Sequence, residues 1–165
     1  MPFRRNLARL VDPSHQNRSY AEIAASPLGV LGSLSHGQAT KVSRALGAWT
    51  IEELATCRPV LWAQAISRLA DEEPLDIQRA KVGHVFNPSL VGLLNRKWAG
   101  MPLREVAKAP PHAFRGVSKT QSALLKEAIQ VETVRDLAIN QVVLVTQVIT
   151  QLARYERVEA LRLAA

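Results

Sequence analysis

The side chains best suited to catalysis or metal binding are few and scattered in this chain of 165 residues. Cys57 is the only cysteine, so neither a disulfide framework nor a multi-cysteine metal site is available. No histidine stands four residues from another metal-type ligand, the spacing that places two ligands on one helical face. The acidic residues of 71–73 are contiguous, whereas an acid–base pair must converge across a cleft. We therefore expect a protein that is not an enzyme and that has no metal or cofactor.

The charge balance favours an anionic partner. The chain has 21 Lys and Arg against 14 Asp and Glu, which gives a net charge of +7. No stretch approaches the roughly 18 uninterrupted apolar residues of a membrane span, and no apolar stretch typical of a secretory signal follows the first arginines. We therefore expect a cytoplasmic protein without a membrane span.

The first 19 residues form a basic N-terminal segment with a helical apolar pattern. Phe3, Leu7 and Leu10 recur at the period of one helical face. Two interpretations stay open, a short docking element and an ordinary surface helix or frayed tail. The docking interpretation would use Phe3, Arg4, Arg5, Leu7 and Arg9.

An internal repeat is the strongest signal in the chain. When the sequence is shifted by 83 positions, residues 20–70 (the first copy) align with residues 103–153 (the second copy) without a gap, and 15 of 51 pairs are identical. This predicts a duplication. We place one repeat at 20–70, a packed apolar bridge at 71–102, and a second repeat with an extended C-terminal helix at 103–165.

The residue pattern within each copy predicts short helices with defined starts. Ser35 and Ser118 stand at equivalent helix N-cap positions. Thr50 and Thr133 stand at the next ones, each followed three residues on by a carboxylate. This spacing resembles a capping box, in the strict sense only where the carboxylate is the glutamate of the first copy. Residues 142–145 are strand-like, but their counterparts 60–63 lie in a helical pattern, so both are predicted helical. We also expect matched burial of Leu54 with Leu137 and of Ile66 with Ile149.

Residues 33–55 and 116–138 resemble the helix-hairpin-helix family. The family pattern is glycine–hydrophobic–glycine at the hairpin and an ending of hydrophobic–x–threonine–hydrophobic–x–acidic–leucine. The resemblance implies an all-α fold of two pseudo-symmetric helix-hairpin-helix-like units, and the surrounding sequence is similar to small bacterial proteins without an established activity. The hairpin departs from the pattern, because the second glycine is replaced by Ser35 or Ser118 and the first survives only as Gly116.

Two functions follow as hypotheses. The first is a non-catalytic interaction or assembly subunit that docks on a larger protein complex, with Trp49 as a further docking residue. The second is a nucleic-acid-binding module, since hairpin amides of DNA-binding members contact a phosphate. The lost glycines favour the first hypothesis, while the positive charge and the resemblance favour the second. The candidate phosphate-contacting residues are Arg115, Gly116, Ser118, Lys119 and Lys126 of the second copy, with Lys41 and Arg44 of the first.

Overall fold

The computed structural model describes residues 10–76 and 92–165, and within them the fold is all-α, as predicted. These residues form nine α-helices and three short 3₁₀ turns, with isolated bridges in place of strands. The helices are α1 (Tyr20–Ala24), α2 (His36–Leu46), α3 (Ile51–Thr56), α4 (Arg58–Glu72), α5 (Arg96–Ala99), α6 (Leu103–Lys108), α7 (Lys119–Ile129), α8 (Val134–Ile139) and α9 (Gln141–Ala164).

Part of the sequence-based interpretation lies outside the described residues. The bridge predicted at 71–102 is described only at its two ends, up to Asp76 and from Gly92. The N-terminal docking candidates Phe3, Arg4, Arg5, Leu7 and Arg9 also lie outside the described residues.

The predicted helix starts at Ser35 and Ser118 are confirmed. The Ser35 hydroxyl accepts the Gln38 amide at 3.2 Å, and the Gln38 side chain accepts the Ser35 amide at 2.9 Å. Ser118 and Gln121 form the same reciprocal pair at the start of α7. Each box satisfies backbone donors that have no partner inside their own helix.

Both copies form a capping box at the third helix, with glutamate in the first copy and aspartate in the second. Thr50 and Glu53 form one at the start of α3, and Thr133 and Asp136 form another at the start of α8. The shorter Asp136 carboxylate reaches back to accept the Thr133 amide at 2.9 Å. An aspartate therefore replaces glutamate in this box.

The strand-like valines of 142–145 are helical, as predicted, because they lie in the first turns of α9. Val142 and Val143 are buried on one face of this helix. The helical period of their burial outweighs the β-propensity of the residue type, since β-propensity depends strongly on packing context.

The chain folds into two compact units that do not follow the predicted boundaries. Unit 1 consists of residues up to Cys57 together with 141–165, and unit 2 consists of residues 58–140. Within unit 1, α9 packs against α1 and α3; within unit 2, α4 packs against α6 and α8. Each unit therefore combines three helices of one sequence copy with the fourth helix of the other.

The short connections explain this exchange of the fourth helix. A single extended residue separates α3 from α4, namely Cys57 with φ −67° and ψ 143°. Asn140, with φ −60° and ψ 131°, does the same between α8 and α9. Antiparallel helix hairpins use loops of about two to five residues, so one extended residue does not let the fourth helix fold back on the third.

Polar contacts of the exchanged helices recur at positions 83 residues apart. In unit 1 the Gln147 amide nitrogen donates to the Ala55 carbonyl at 3.3 Å. In unit 2 the Gln64 amide nitrogen donates to the Ala138 carbonyl at 3.3 Å. In both units a glutamine of the exchanged helix thus satisfies a carbonyl in the last turn of the third helix, where intrahelical donors run out.

Two glutamates of the exchanged segments cap the first helix of each sequence copy. Glu156 of α9 accepts the Ala21 amide of α1 at 3.0 Å. Glu73, which follows α4, accepts the Leu103 and Arg104 amides of α6 at 2.8 and 3.1 Å. A carboxylate at a helix N-terminus satisfies free amides and complements the helix dipole.

The recurrence of backbone contacts begins before residue 103, where we placed the start of the second repeat. The Gly32 amide donates to the Leu10 carbonyl, and the Arg115 amide donates to the Leu93 carbonyl, 83 residues further on. Residues from Leu93 onward therefore pack as part of unit 2, although the alignment counted them in the bridge. Superposition of the two sequence copies stays a prediction.

The predicted burial of the core leucines and isoleucines is confirmed. Leu54, Leu137, Ile66 and Ile149 are each at most 1% exposed. Each unit thus closes its own apolar core around equivalent residues from both copies.

Candidate functional site

In the second hairpin, two backbone amides donate hydrogen bonds to side chains of the hairpin itself. Gly116 has φ +87°, a left-handed conformation that favours glycine. The following Ser118 amide donates to Gln121, and the Gln121 amide donates to Ser118. Two amides at the start of α7, where a helix-hairpin-helix protein would hold a phosphate, therefore have partners within the capping box.

Lys119 and Lys126 line one shallow groove of unit 2. The groove has a volume of about 290 Å³ and also contains His112 and Glu132. The Lys126 ammonium lies 3.3 Å from the Glu132 carboxylate, which partly neutralises it. The structure thus brings together two of the predicted phosphate-contacting cations, together with an acidic residue that the sequence interpretation did not include.

Arg115 is tied to the backbone of its own unit. Its side-chain Nε donates to the Leu94 carbonyl at 3.1 Å, and its amide donates to the Leu93 carbonyl at 2.8 Å. Arg115 therefore fastens the segment before α5 to the hairpin, and this is a structural role that the sequence did not indicate.

His112 at this groove has a pKa below its ordinary value. Burial is the main cause, followed by the positive charges of Lys119 and Lys97. The buried Nδ1 atom has no hydrogen-bond partner among the described residues. The imidazolium is disfavoured for a further reason, because it must carry a proton on Nδ1 and this would be a buried donor without an acceptor.

The candidates of the first hairpin lie in unit 1. Lys41 is half-buried and Arg44 is exposed on α2. Trp49 is 57% exposed, and its backbone amide donates to Glu53 at 2.7 Å. The Trp49 ring thus presents apolar area on a backbone that the α3 cap holds in place.

The C-terminal half of α9 carries an exposed apolar surface that the sequence interpretation missed. Tyr155 is 66% exposed, Val158 47%, Leu161 72% and Leu163 87%. We call these four residues the α9 surface. Beside it, Tyr20 and Leu152 line an apolar groove of about 390 Å³ together with Tyr155 and Leu163. The available signal was that residues after Glu156 have no helical counterpart, since Pro74 follows the end of α4.

The described residues offer neither a metal site nor a membrane span. No group of three or more His, Cys, Asp or Glu side chains within 10–76 and 92–165 is placed to hold a metal ion. Among the helices in those ranges, none has the length and apolar character needed to cross a bilayer.

Comparisons with known proteins do not place this chain in a family. No protein-family model, no curated protein and no solved structure matches it.

Proposed function

We propose that this protein is a non-catalytic assembly subunit that docks on a larger protein complex through the α9 surface. The observation that carries the proposal is the exposure of Tyr155, Val158, Leu161 and Leu163 on one helix segment. Several exposed apolar residues on one element mark interaction sites more often than isolated exposed leucines do. Covering such area contributes about 25 cal/mol per Å² of apolar surface removed from water.

The charges beside the α9 surface point to apolar recognition. Glu156 accepts the Ala21 amide, and Glu159 pairs with Arg162 at 3.0 Å. Both acids of the groove thus have a partner within unit 1. The partner chemistry that fits is an apolar stripe, such as one face of an amphipathic helix laid into the groove beside Tyr20.

The test compares capture of partners by three forms of the full chain. The double variant Tyr155→Gln/Leu163→Gln removes exposed apolar area that lines the groove, without introducing charge. Leu75→Gln is the matched control, because Leu75 is an equally apolar residue and is 89% exposed in unit 2. Affinity capture from the native host, quantified by mass spectrometry, identifies the partners, and titration of a purified partner then gives its affinity.

We expect the double variant to lose at least about tenfold in affinity, while the wild type and Leu75→Gln bind equally. A tenfold loss corresponds to about 1.4 kcal/mol, within the range for truncating contact residues. Equal affinity of all three forms, at unchanged melting temperature, would refute docking through the α9 surface.

A second candidate function is binding of the nucleic-acid backbone at the second hairpin. The shared groove of Lys119 and Lys126 and the net charge of +7 favour it. Because neutralised phosphates release counterions, affinity for duplex DNA should fall with salt at a logarithmic slope near −0.9 per phosphate. Lys119→Ala/Lys126→Ala should make the slope shallower by about 1–2 units, and an unchanged slope would exclude the groove.

A further inference from the structure

The ion pairs of the exchanged helices have opposite polarity in the two units. In unit 1 the Glu52 carboxylate of α3 pairs with Arg157 of α9 at 3.6 Å. In unit 2 the residue 83 positions later, Arg135 of α8, pairs with Asp71 of α4 at 2.7 Å. The third helix is thus acidic at this position in one copy and basic in the other, and the helix packed on it carries the opposite charge.

We infer that these two ion pairs make each half of the chain recognise the opposite half and reject a second copy of itself. The first half is 10–76 and the second half is 92–165. The partner of each half is therefore the other half of the same chain. The contact between the halves is a different surface from the α9 surface proposed above.

Several contacts between the halves do not discriminate between them, although the ring pair of Trp62 and Phe114 in unit 2 is replaced by Val145 and Leu31 at the equivalent positions of unit 1. The equivalent core residues Leu54 and Leu137 are both leucine and both fully buried. Gln64 and Gln147 make the same hydrogen bond in the two units. The two capping glutamates, Glu73 and Glu156, are also alike in type. By these contacts alone, the fourth helix of either half fits the three-helix surface of either half.

The charged positions do discriminate. If two first halves from different molecules exchanged helices, Asp71 would face Glu52. If two second halves did so, Arg154, which is equivalent to Asp71, and Arg157 would face Arg135. Both like-half pairings place like charges together, whereas the observed pairing places opposite charges together in both units. Like charges within a few ångströms repel, and this arrangement selects partners without requiring a large net gain in stability.

The repulsion between like halves also limits the assembly of several molecules into oligomers. The one-residue connections at Cys57 and Asn140 send each fourth helix away from its own third helix. A pairing of like halves would leave the remaining half of each molecule open to pair again, so chains would grow without closing. The ion pairs favour closure within one molecule.

The test reverses the charges at positions 52 and 135 of the third helices without changing the net charge of the chain. Glu52→Arg/Arg135→Glu makes the observed pairing repulsive and both like-half pairings attractive. The matched control, Arg44→Glu/Glu127→Arg, exchanges charges at another pair of exposed positions 83 residues apart, on α2 and α7. Both are made in the full chain that carries Tyr155→Gln/Leu163→Gln, so that association through the groove of the α9 surface does not contribute. Each protein is refolded from urea at several concentrations in 50 mM salt, and its mass is measured by light scattering after size exclusion.

We expect the inverted variant to self-associate at least about tenfold more strongly than the control, since two exposed pairs change from attraction to repulsion in the observed pairing. Adding Asp71→Arg and Arg157→Glu restores opposite charges in the observed pairing and should restore the monomer. Self-association of the inverted variant equal to that of the control would overturn the inference.

A measurement without charge variants keeps the inference testable if the inverted variant does not fold. The chain without charge substitutions, refolded at high concentration, should yield more oligomer in 0.5 M than in 50 mM salt. Salt screens the repulsion between like halves as well as the attraction between opposite halves. An oligomer fraction independent of salt would contradict the inference.

Discussion

At the scale of single residues, α2 and α7 both end in the left-handed backbone conformation, but only α2 ends there in glycine. Gly47 ends α2 with φ +66°, and Gln130 ends α7 in the same left-handed region with φ 57°. Glycine adopts this conformation without a Cβ penalty. We expect Gln130→Gly to raise the free energy of unfolding by about 0.5–1 kcal/mol, as glycine commonly does at such positions.

The reciprocal substitution is the control for this prediction. Gly47→Gln places a Cβ in open space, so its cost should come from φ alone and amount to about 1 kcal/mol. Urea denaturation of both variants measures the two effects. A loss of stability in Gln130→Gly would contradict the conformational argument.

His112 gives the fold a pH dependence whose direction follows from its environment. Burial, Lys119 and Lys97 lower the pKa of His112 below its ordinary 6.5. The unfolded chain therefore binds this proton more readily than the folded chain, and stability falls as pH decreases below about 6.5 until the folded pKa is passed. His112→Gln should reduce the change of the urea midpoint between pH 7 and pH 5. The control is His36→Gln, because His36 is exposed. A midpoint that depends equally on pH in both variants would exclude His112 as the cause.

At the scale of elements, the capping glutamates tie each exchanged segment to a short helix. Glu73 accepts two amides of α6, a helix of six residues, and its own side chain is 7% exposed. We expect Glu73→Ala to cost about 1–3 kcal/mol of unfolding free energy, because two partly buried amides lose a charged acceptor. Glu72→Ala, which removes only an exposed pair with Arg68, is the control and should cost less than about 1 kcal/mol. Equal losses in urea denaturation would show that the cap contributes nothing specific.

The helix starts could be predicted because their causes are local. The serine and threonine caps bond to residues three positions away, and the sequence displays that spacing directly. Glu73 bonds to amides 30 residues later, and no local pattern marks it. For the same reason the sequence did not reveal that two of the acidic residues of 71–73 contact other helices, Asp71 with α8 and Glu73 with α6.

At the scale of the whole molecule, the exchange of the fourth helix was beyond prediction from the repeat. Both α4 and α9 carry the apolar pattern of their own copy, so the alignment assigns each to its own unit. The deciding feature is the single extended residue at Cys57 or Asn140, and its geometry emerges only with the structure. The α9 surface was missed for a related reason, because a helical apolar pattern does not tell which of its residues stay uncovered.

The exchange itself predicts how the chain responds to a cut between its halves. A protease site inserted within residues 77–91 separates α1–α4 from α5–α9, yet each unit needs helices from both pieces. We expect the cut pieces to co-elute at the mass of the intact chain. Their melting temperature should rise with protein concentration, because folding has become bimolecular. The uncut insertion variant is the control, and its melting temperature should not depend on concentration. Pieces that separate on size exclusion, or that melt independently of concentration, would mean that each half folds alone and that the fourth helices are not exchanged.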